Sequence, residues 1–243
     1  MQTLRVSAPL FLQKLHALTT QEYIHPDSRI VFVDDGSCDQ TWETISALHK
    51  QYKEIFGLRL RKNVGEQDAL LTGMQWAVDK ADCLVSMDSD LQDDIDCVDE
   101  MVRQYLSGAA VVLGVRSSRT QDTRMERLTS SLFYFVMQKM HTGLVPQHSS
   151  FRLMRRDAVR QILERDKPFY LPCAAGELDL PTTTILYARK ARAAGTSAYT
   201  FLKRFRLGLY AVASHSAIRK WVRPHPIEHD MICCVLSDDS DRF

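Results

Sequence analysis

No stretch of this chain is apolar for long. The longest such runs, around residues 131–137 and 207–213, fall far short of the ~18–20 residues that cross a bilayer. The opening Met1-Gln-Thr-Leu-Arg has neither the apolar core nor the small-residue cleavage site of a signal peptide. Ten glycines and eight prolines among 243 residues exclude a collagen-like or low-complexity chain. The six cysteines (Cys38, Cys83, Cys97, Cys173, Cys233 and Cys234) form no CxxC pair, and none has the spacing of a zinc site beside a His pair. They read as six reduced thiols. These absences predict a cytoplasmic protein, neither exported by a signal peptide nor membrane-spanning, and no nucleic-acid partner is expected.

What is present is average globular material: 45% hydrophobic, 25% charged and 9% aromatic residues, enough at this length for a sizeable core. The net charge of +1 conceals an asymmetry. Residues 1–115 carry 10 Lys and Arg against 18 Asp and Glu; residues 116–229 carry 20 against 8; residues 230–243 carry 1 against 4. An acidic half followed by a basic half suits a site where carboxylates hold a cation and basic side chains hold an anion. It equally suits solvated surface charge. No linker composition divides the chain, so 1–229 reads as one domain with two halves, 1–115 and 116–229. Residues 230–243 read as a frayed acidic tail.

Periodicity predicts helices over 8–19, 39–53, 66–80, 95–107, 128–140, 157–165 and 200–221, and strands over 29–33, 58–60, 83–87, 110–115 and 182–187, with 146–154 a loop leading into a short strand. Strands alternating with helices predict an α/β fold, a mostly parallel sheet with helices on both faces. Strands that read as unbroken apolar runs are buried on both sides. Ligands of such sheets bind at the carboxyl ends of the strands. Two strands here end in acids: Asp34-Asp35 and Asp88-Ser89-Asp90.

Two carboxylates spaced as Asp88 and Asp90 can both face one hard cation, and Mg²⁺ or Mn²⁺ prefers oxygen ligands while leaving positions for substrate phosphates. Gln92 can add a carbonyl oxygen. The same pair is also common in surface turns. In Asp34-Asp35-Gly36-Ser37, a carboxylate can accept from a nucleobase edge, Gly36 permits a tight turn and Ser37 can cap it. Asp39 reads as a helix cap.

The order Val31-Phe-Val-Asp-Asp-Gly-Ser-Cys-Asp-Gln-Thr41, Lys62-Asn-Val-Gly65, Ala69-Leu-Leu-Thr-Gly73 and Met87-Asp-Ser-Asp-Leu-Gln-Asp93 resembles the family 2 inverting glycosyltransferases. Within them it looks like the polyprenyl-phosphate type, the dolichyl- or undecaprenyl-phosphate mannose and glucose synthases. Gly114-Val-Arg116, Arg127-Leu-Thr-Ser-Ser131, Ser150-Phe-Arg-Leu-Met154 and Arg192-x-x-Gly195-x-Ser197-x-Tyr199 extend the likeness over residues 8–215. The resemblance implies a nucleotide-diphospho-sugar transferase (GT-A, Rossmann-like) fold, a nucleotide-sugar donor, a polyprenyl-phosphate or saccharide acceptor, and Mg²⁺ or Mn²⁺. It implies that Asp35, with Asp34 and Gly36, meets the nucleobase, and that Asp88, Asp90 and Gln92 hold the metal on the diphosphate. It further implies that Arg116, Arg127 and Ser131 receive the acceptor phosphate beside Asp90, and that Arg192, Gly195 and Ser197 close on the donor. An acceptor phosphate is already anionic, so attack on the anomeric carbon needs positioning and Arg screening more than a strong base.

Two departures stand out. Family members usually open with a strand ending in a Pro-x-Tyr-Asn-Glu-like segment; this chain begins Met1-Gln-Thr-Leu-Arg-Val-Ser, so the first strand is expected to be missing or truncated. Membrane-bound members add terminal transmembrane helices; this chain continues into Ile218-Arg-Lys-Trp-Val-Arg-Pro-His-Pro, leaving open a soluble variant, a shortened product, or a subunit relying on an oligomer or membrane partner. His148 reads as a solvated loop residue. The predicted helix 200–221 interleaves Phe201, Leu202, Phe205 and Leu209 with Lys203, Arg204 and Arg206, as in helices that lie peripherally in the headgroup plane; packing on the sheet is the other reading. A non-catalytic relative that binds a nucleotide or partner is the alternative to an enzyme. A nucleotidyltransferase is a third reading, but the chain has no Gly-rich, Lys-bearing phosphate loop.

Overall fold

The computed structural model describes residues 2–117, 124–166, 169–190, 201–216 and 231–237. Helix α1 (Gln2–Thr20) leads to β1 (Ile30–Asp34), α2 (Thr41–Gln51), β2 (Ile55–Leu60), α3 (Glu66–Ala77), β3 (Cys83–Ser86), α4 (Cys97–Leu106) and β4 (Val111–Arg116). Then come α5 (Arg124–Lys139), β5 (His148–Arg155), α6 (Arg156–Leu163), α7 (Leu171–Gly176), β6 (Thr182–Tyr187), α8 (Phe201–Ser214) and β7 (Ile232–Leu236). The α/β class follows the sequence pattern, with most elements within a few residues of expectation.

The strands form two sheets, ordered β1-β2-β7 and β3-β5-β4-β6. The β1–β2 and β4–β6 ladders are parallel; β2–β7, β3–β5 and β4–β5 are antiparallel. The sheets are therefore mixed rather than mostly parallel. Hydrophobic periodicity shows which residues form a strand, but not which way it points, and β5 threads backwards between β3 and β4. The 230–243 segment is more than a frayed tail: Ile232–Leu236 pairs with β2, because its Ile-Cys-Cys-Val-Leu run is β-prone.

Helices cover both faces. On one, Leu18 of α1 and Val98, Met101 and Val102 of α4 pack on Val112, Phe151 and Leu153. On the other, Leu71 and Met74 of α3, with α6 and α7, pack on Val111, Leu113 and Met154. A third cluster joins Leu4, Ala8 and Leu12 of α1 to Phe32, Ile45 and Ile55.

Residues 2–20 are helical, with Pro9 inside the helix, and no described strand lies before β1. Among the described residues β1 pairs only with β2, and β3 only with β5. Between these two edges lies a cavity of about 2070 Å³. All six cysteines are free thiols, and burial raises Cys83, on the β3 edge, to about 11.

Candidate active site

The chain turns sharply where β1 ends. Asp34 is buried, 2% exposed; its Oδ1 accepts the Ser37 N–H at 3.0 Å and its Oδ2 lies 3.6 Å from Arg59 Nε. Gly36 has φ +62°, and a Cβ there would meet the Lys62 carbonyl carbon at 2.6 Å. The turn therefore needs glycine on both counts. Asp35 spans to the next loop: its oxygens accept Val64 N–H at 2.7 Å and Gly65 N–H at 2.9 Å. Burial raises its pKa against the pull of those two bonds. Asp35 thus lines the cavity while both oxygens hold the loop that begins α3.

Past the end of β3, Asp88 accepts the Ser150 hydroxyl at 2.8 Å. Burial raises its pKa, with the neighbouring Asp90 adding to the rise; Ser150, Arg116 and Arg189 oppose it. Asp90 Oδ1 accepts the Gln92 N–H at 3.1 Å, bridging over Leu91, a non-glycine residue at φ +58°. That conformation is rare for a branched apolar side chain. The Gln92 Oε1 accepts Arg189 Nη2 at 2.6 Å, and its carbonyl accepts the Lys190 N–H.

The test for a hard divalent cation is the donor set. Asp88 and Asp90 fit: two half-buried carboxylates, one of them shifted by desolvation toward the neutral form, form a place where a cation relieves a charge penalty. Gln92 fits less well, since its side-chain oxygen is already spent on Arg189. Among the described residues no group of three His, Cys, Asp or Glu is arranged to hold a metal. Mg²⁺ commonly takes one or two carboxylates and completes its shell with waters and substrate phosphates.

Sequence reasoning missed the cluster beside these acids. Asp93, 2% exposed, accepts a short hydrogen bond from the Tyr187 hydroxyl. Arg116 Nε donates to the same hydroxyl oxygen at 3.2 Å, and Arg116 Nη2 lies 3.9 Å from Asp93. Burial raises the Asp93 pKa, with Tyr187 opposing; the Arg116 pKa is also raised, its partners Tyr187, Asp93 and Asp88 outweighing its burial. Arg116 pairs with Tyr187 across the β4–β6 ladder. The signal was available: Tyr187 ends a strand, as Asp34 does.

His148 is no solvated loop residue. It lies on β5, 8% exposed, with Nδ1 3.3 Å from the Gly114 carbonyl. Burial, then Arg152 and Arg116, lowers its pKa to about 3, so it is neutral. Ser131 is exposed on α5; Arg127 lies in α5, but its side chain is outside the described residues, as are Arg192, Gly195 and Ser197.

A parallel-containing α/β core with acids and an arginine at its strand ends is the architecture of a nucleotide-diphospho-sugar transferase. Sequence comparison agrees. The profile of glycosyl transferase family 2 matches residues 6–163, and the chain belongs to that family. It is 37% identical over 201 residues, 82% of its length, to an uncharacterized glycosyltransferase, YkoT, of Bacillus subtilis (strain 168), covering 59% of that protein. It is 31% identical over 205 residues, 83% of its length, to the bactoprenol glucosyl transferase of Shigella phage SfV, covering 66% of it. Likewise it is 31% identical over 196 residues, 79% of its length, to a prophage bactoprenol glucosyl transferase homolog of Escherichia coli (strain K12), covering 63% of that protein. The chain thus spans about three-fifths to two-thirds of the length of these relatives.

Proposed function

We propose that this protein transfers a hexose, glucose by analogy with the bactoprenol glucosyl transferases, from a nucleotide sugar to a polyprenyl phosphate. One observation carries the reading: the half-buried, Ser150-held carboxylate of Asp88 lies just past a strand end, with Asp90 and Arg116 among the charges it feels. Asp35 positions the nucleobase while it orders the loop at Val64 and Gly65. Asp88 and Asp90 would hold Mg²⁺ or Mn²⁺, with Gln92, bonded to Arg189, as the further oxygen donor; a bound metal would neutralise charge on the leaving diphosphate. Arg116, fixed by Tyr187 and Asp93, presents its guanidinium to an incoming phosphate. Arg127 and Ser131 on α5 extend that acceptor side; for Arg192, Gly195 and Ser197, outside the described residues, the family resemblance supports a donor-binding role. Inversion follows from attack opposite the leaving group.

The acceptor side also suits a lipid. Helices α5 and α8 pack through Phe133, Met137 and Ala211, and Leu132, Phe135 and Leu209 are left 54–63% exposed on them. No described helix is long and apolar enough to cross a membrane; we place the lipid contact at these exposed apolar side chains, at a membrane surface, in cell-envelope glycan synthesis.

The divided sheet favours a second reading, a relative that binds a donor without turning it over. The test is incubation with UDP-glucose, Mn²⁺ and undecaprenyl phosphate. Metal-dependent formation of the lipid-linked sugar, lost in Asp90→Ala, supports the first reading. Metal-dependent donor binding with neither transfer nor hydrolysis supports the second.

A further inference from the structure

Two adjacent cysteines carry chemistry that sugar transfer does not use. All six cysteines are free thiols, but Cys233 and Cys234 alone are neighbours in the chain, and both are exposed. The other four stand on the turn after β1 (Cys38), on β3 (Cys83), at the start of α4 (Cys97) and on α7 (Cys173).

Consecutive residues of a regular strand point to opposite faces, which would part the two sulfurs. The β2–β7 ladder prevents this. Its register runs Gly57↔Leu236, Leu58↔Val235 and Arg59↔Cys234, then slips to Leu60↔Ile232. One extra residue, Cys233, is thus bulged out of the ladder beside Cys234. Exposure records the same slip: Cys233, Cys234 and Val235 are exposed in succession, where a regular strand alternates. The two side chains meet. The Cys234 pKa is raised, by desolvation first and then by its hydrogen bond to Cys233, while Arg59 opposes the rise. Cys233 Sγ also donates to the Arg59 carbonyl at 3.3 Å. The Arg59 guanidinium is held in place over the Trp42 ring, 5.8 Å from its centre, and by Asp34 and the Ser37 carbonyl. The thiol pair therefore has a fixed cation beside it.

What such a pair can hold follows from its donors. Thiolate sulfur selects soft ions. A structural zinc wants four ligands, and among the described residues no three His, Cys, Asp or Glu are grouped to hold a metal. A disulfide is disfavoured, because the Cα atoms of adjacent residues lie ~3.8 Å apart, below the ~4.4–6.8 Å usual for the bridge. An ion seated between the sulfurs needs no bond between them, and copper(I) is satisfied by two thiolates.

We infer that Cys233 and Cys234 form a two-thiolate site for a soft monovalent cation of the copper(I) type. Binding breaks two S–H bonds, releases two protons to solvent and forms two metal–sulfur bonds, with no change in oxidation state. The product carries one net negative charge, and Arg59 stands beside it as the counter-ion. The hard cation proposed at Asp88 and Asp90 prefers oxygen, so the two sites select different metals. The inference stands on the bulge and its thiols and is independent of which sugar or acceptor the enzyme uses.

The test is an anaerobic titration of the full chain with copper(I) against bathocuproine disulfonate, whose colour reports the metal it keeps. The chain should draw off one equivalent more tightly than any other. Cys233→Ser and Cys234→Ser should each weaken that binding by more than the ~10–100-fold that loss of an outer partner costs. The double variant should be no weaker than either single one, because the thiols act as a pair, and Cys38→Ser should keep the site. Both positions are exposed, so thermal melting of the metal-free variants should match the parent. Phenylarsine oxide on the unsubstituted chain gives a second reading: its trivalent arsenic takes two thiols with loss of water. The adduct should map to the peptide that carries Cys233 and Cys234, and should persist in excess 2-mercaptoethanol. Parental copper(I) affinity in either single variant, additive losses in the double one, or an arsenical displaced by the monothiol would each overturn the proposal.

Discussion

The Ser150 hydroxyl donates to Asp88 across 2.8 Å, tying β5 to the acids that follow β3. Ser150 also accepts, through its carbonyl, the Ser86 hydroxyl at 2.6 Å, so the residue is fixed on both sides. The bond favours the ionised carboxylate against the burial that opposes it.

Ser150→Ala removes that support. A hydrogen bond to a charged group contributes ~1.5–3 kcal/mol, so metal-dependent nucleotide-sugar binding should weaken ~10-fold or more. The Asp88 pKa rises further, so the pH at which binding sets in should move upward. Calorimetric titration with Mn²⁺ and UDP-glucose across pH 5–8 reads both. Unchanged affinity and onset would remove Asp88 from the metal site.

Asp88→Asn separates stability from function. A carboxyl group whose folded pKa is raised contributes stability that is present below its ordinary range, near 3.9, and lost as pH rises through the folded value. The amide never ionises and still accepts the Ser150 hydroxyl. The variant should therefore be more stable than the parent at pH 7, equally stable near pH 3.5, and unable to bind donor with metal. Each ~1 kcal/mol shifts Tm by ~2–4 °C in a chain of this size, so thermal scans at the two pH values decide the matter.

Tyr187→Phe takes the hydroxyl from between Arg116 and Asp93. The buried Asp93 carboxylate loses its donor, at a cost of ~1–3 kcal/mol, measurable as a lower urea midpoint. Asp93→Asn in the same background should recover most of that loss at pH 7, because it removes the buried charge. If Arg116 holds the acceptor phosphate, Tyr187→Phe also raises the KM for polyprenyl phosphate more than the KM for the donor.

The strands and their acids were legible because a buried strand is written as a local run, and Asp34, Asp35, Asp88 and Asp90 follow such runs directly. Four features were not. The reversed direction of β5 leaves no trace in periodicity. The Asp93–Tyr187 bond joins residues 94 apart, a pairing set by the β4–β6 register. His148 looked solvated because its neighbours Gln147 and Ser149 are polar; the Gly114 carbonyl that receives it belongs to another strand. The acid at Asp35 was legible, but its grip on Val64 and Gly65 was not.

The pH dependence of stability away from the acids should come from Glu177 and His215. Their Oε1 and Nε2 lie 3.3 Å apart, and Arg165 reaches the other Glu177 oxygen at 2.6 Å. Cys173 and then Glu177 raise His215 to about 10; His215 and then Arg165 overcome burial to lower Glu177 to about 2. A raised histidine gives stability that is complete below its unfolded value near 6.5 and disappears as pH climbs through about 10. The depressed glutamate gives stability that is complete above its unfolded value near 4.3 and disappears as pH falls through about 2. The pair is thus at full strength from about pH 4.5 to 6.5 and weakens on the alkaline side. His215→Gln should lower the urea midpoint at pH 6, with the deficit shrinking steadily by pH 8 and 9 and nearly gone at pH 10.5. A deficit that stays constant over that range would mean His215 contributes only packing, with no charge on the imidazole.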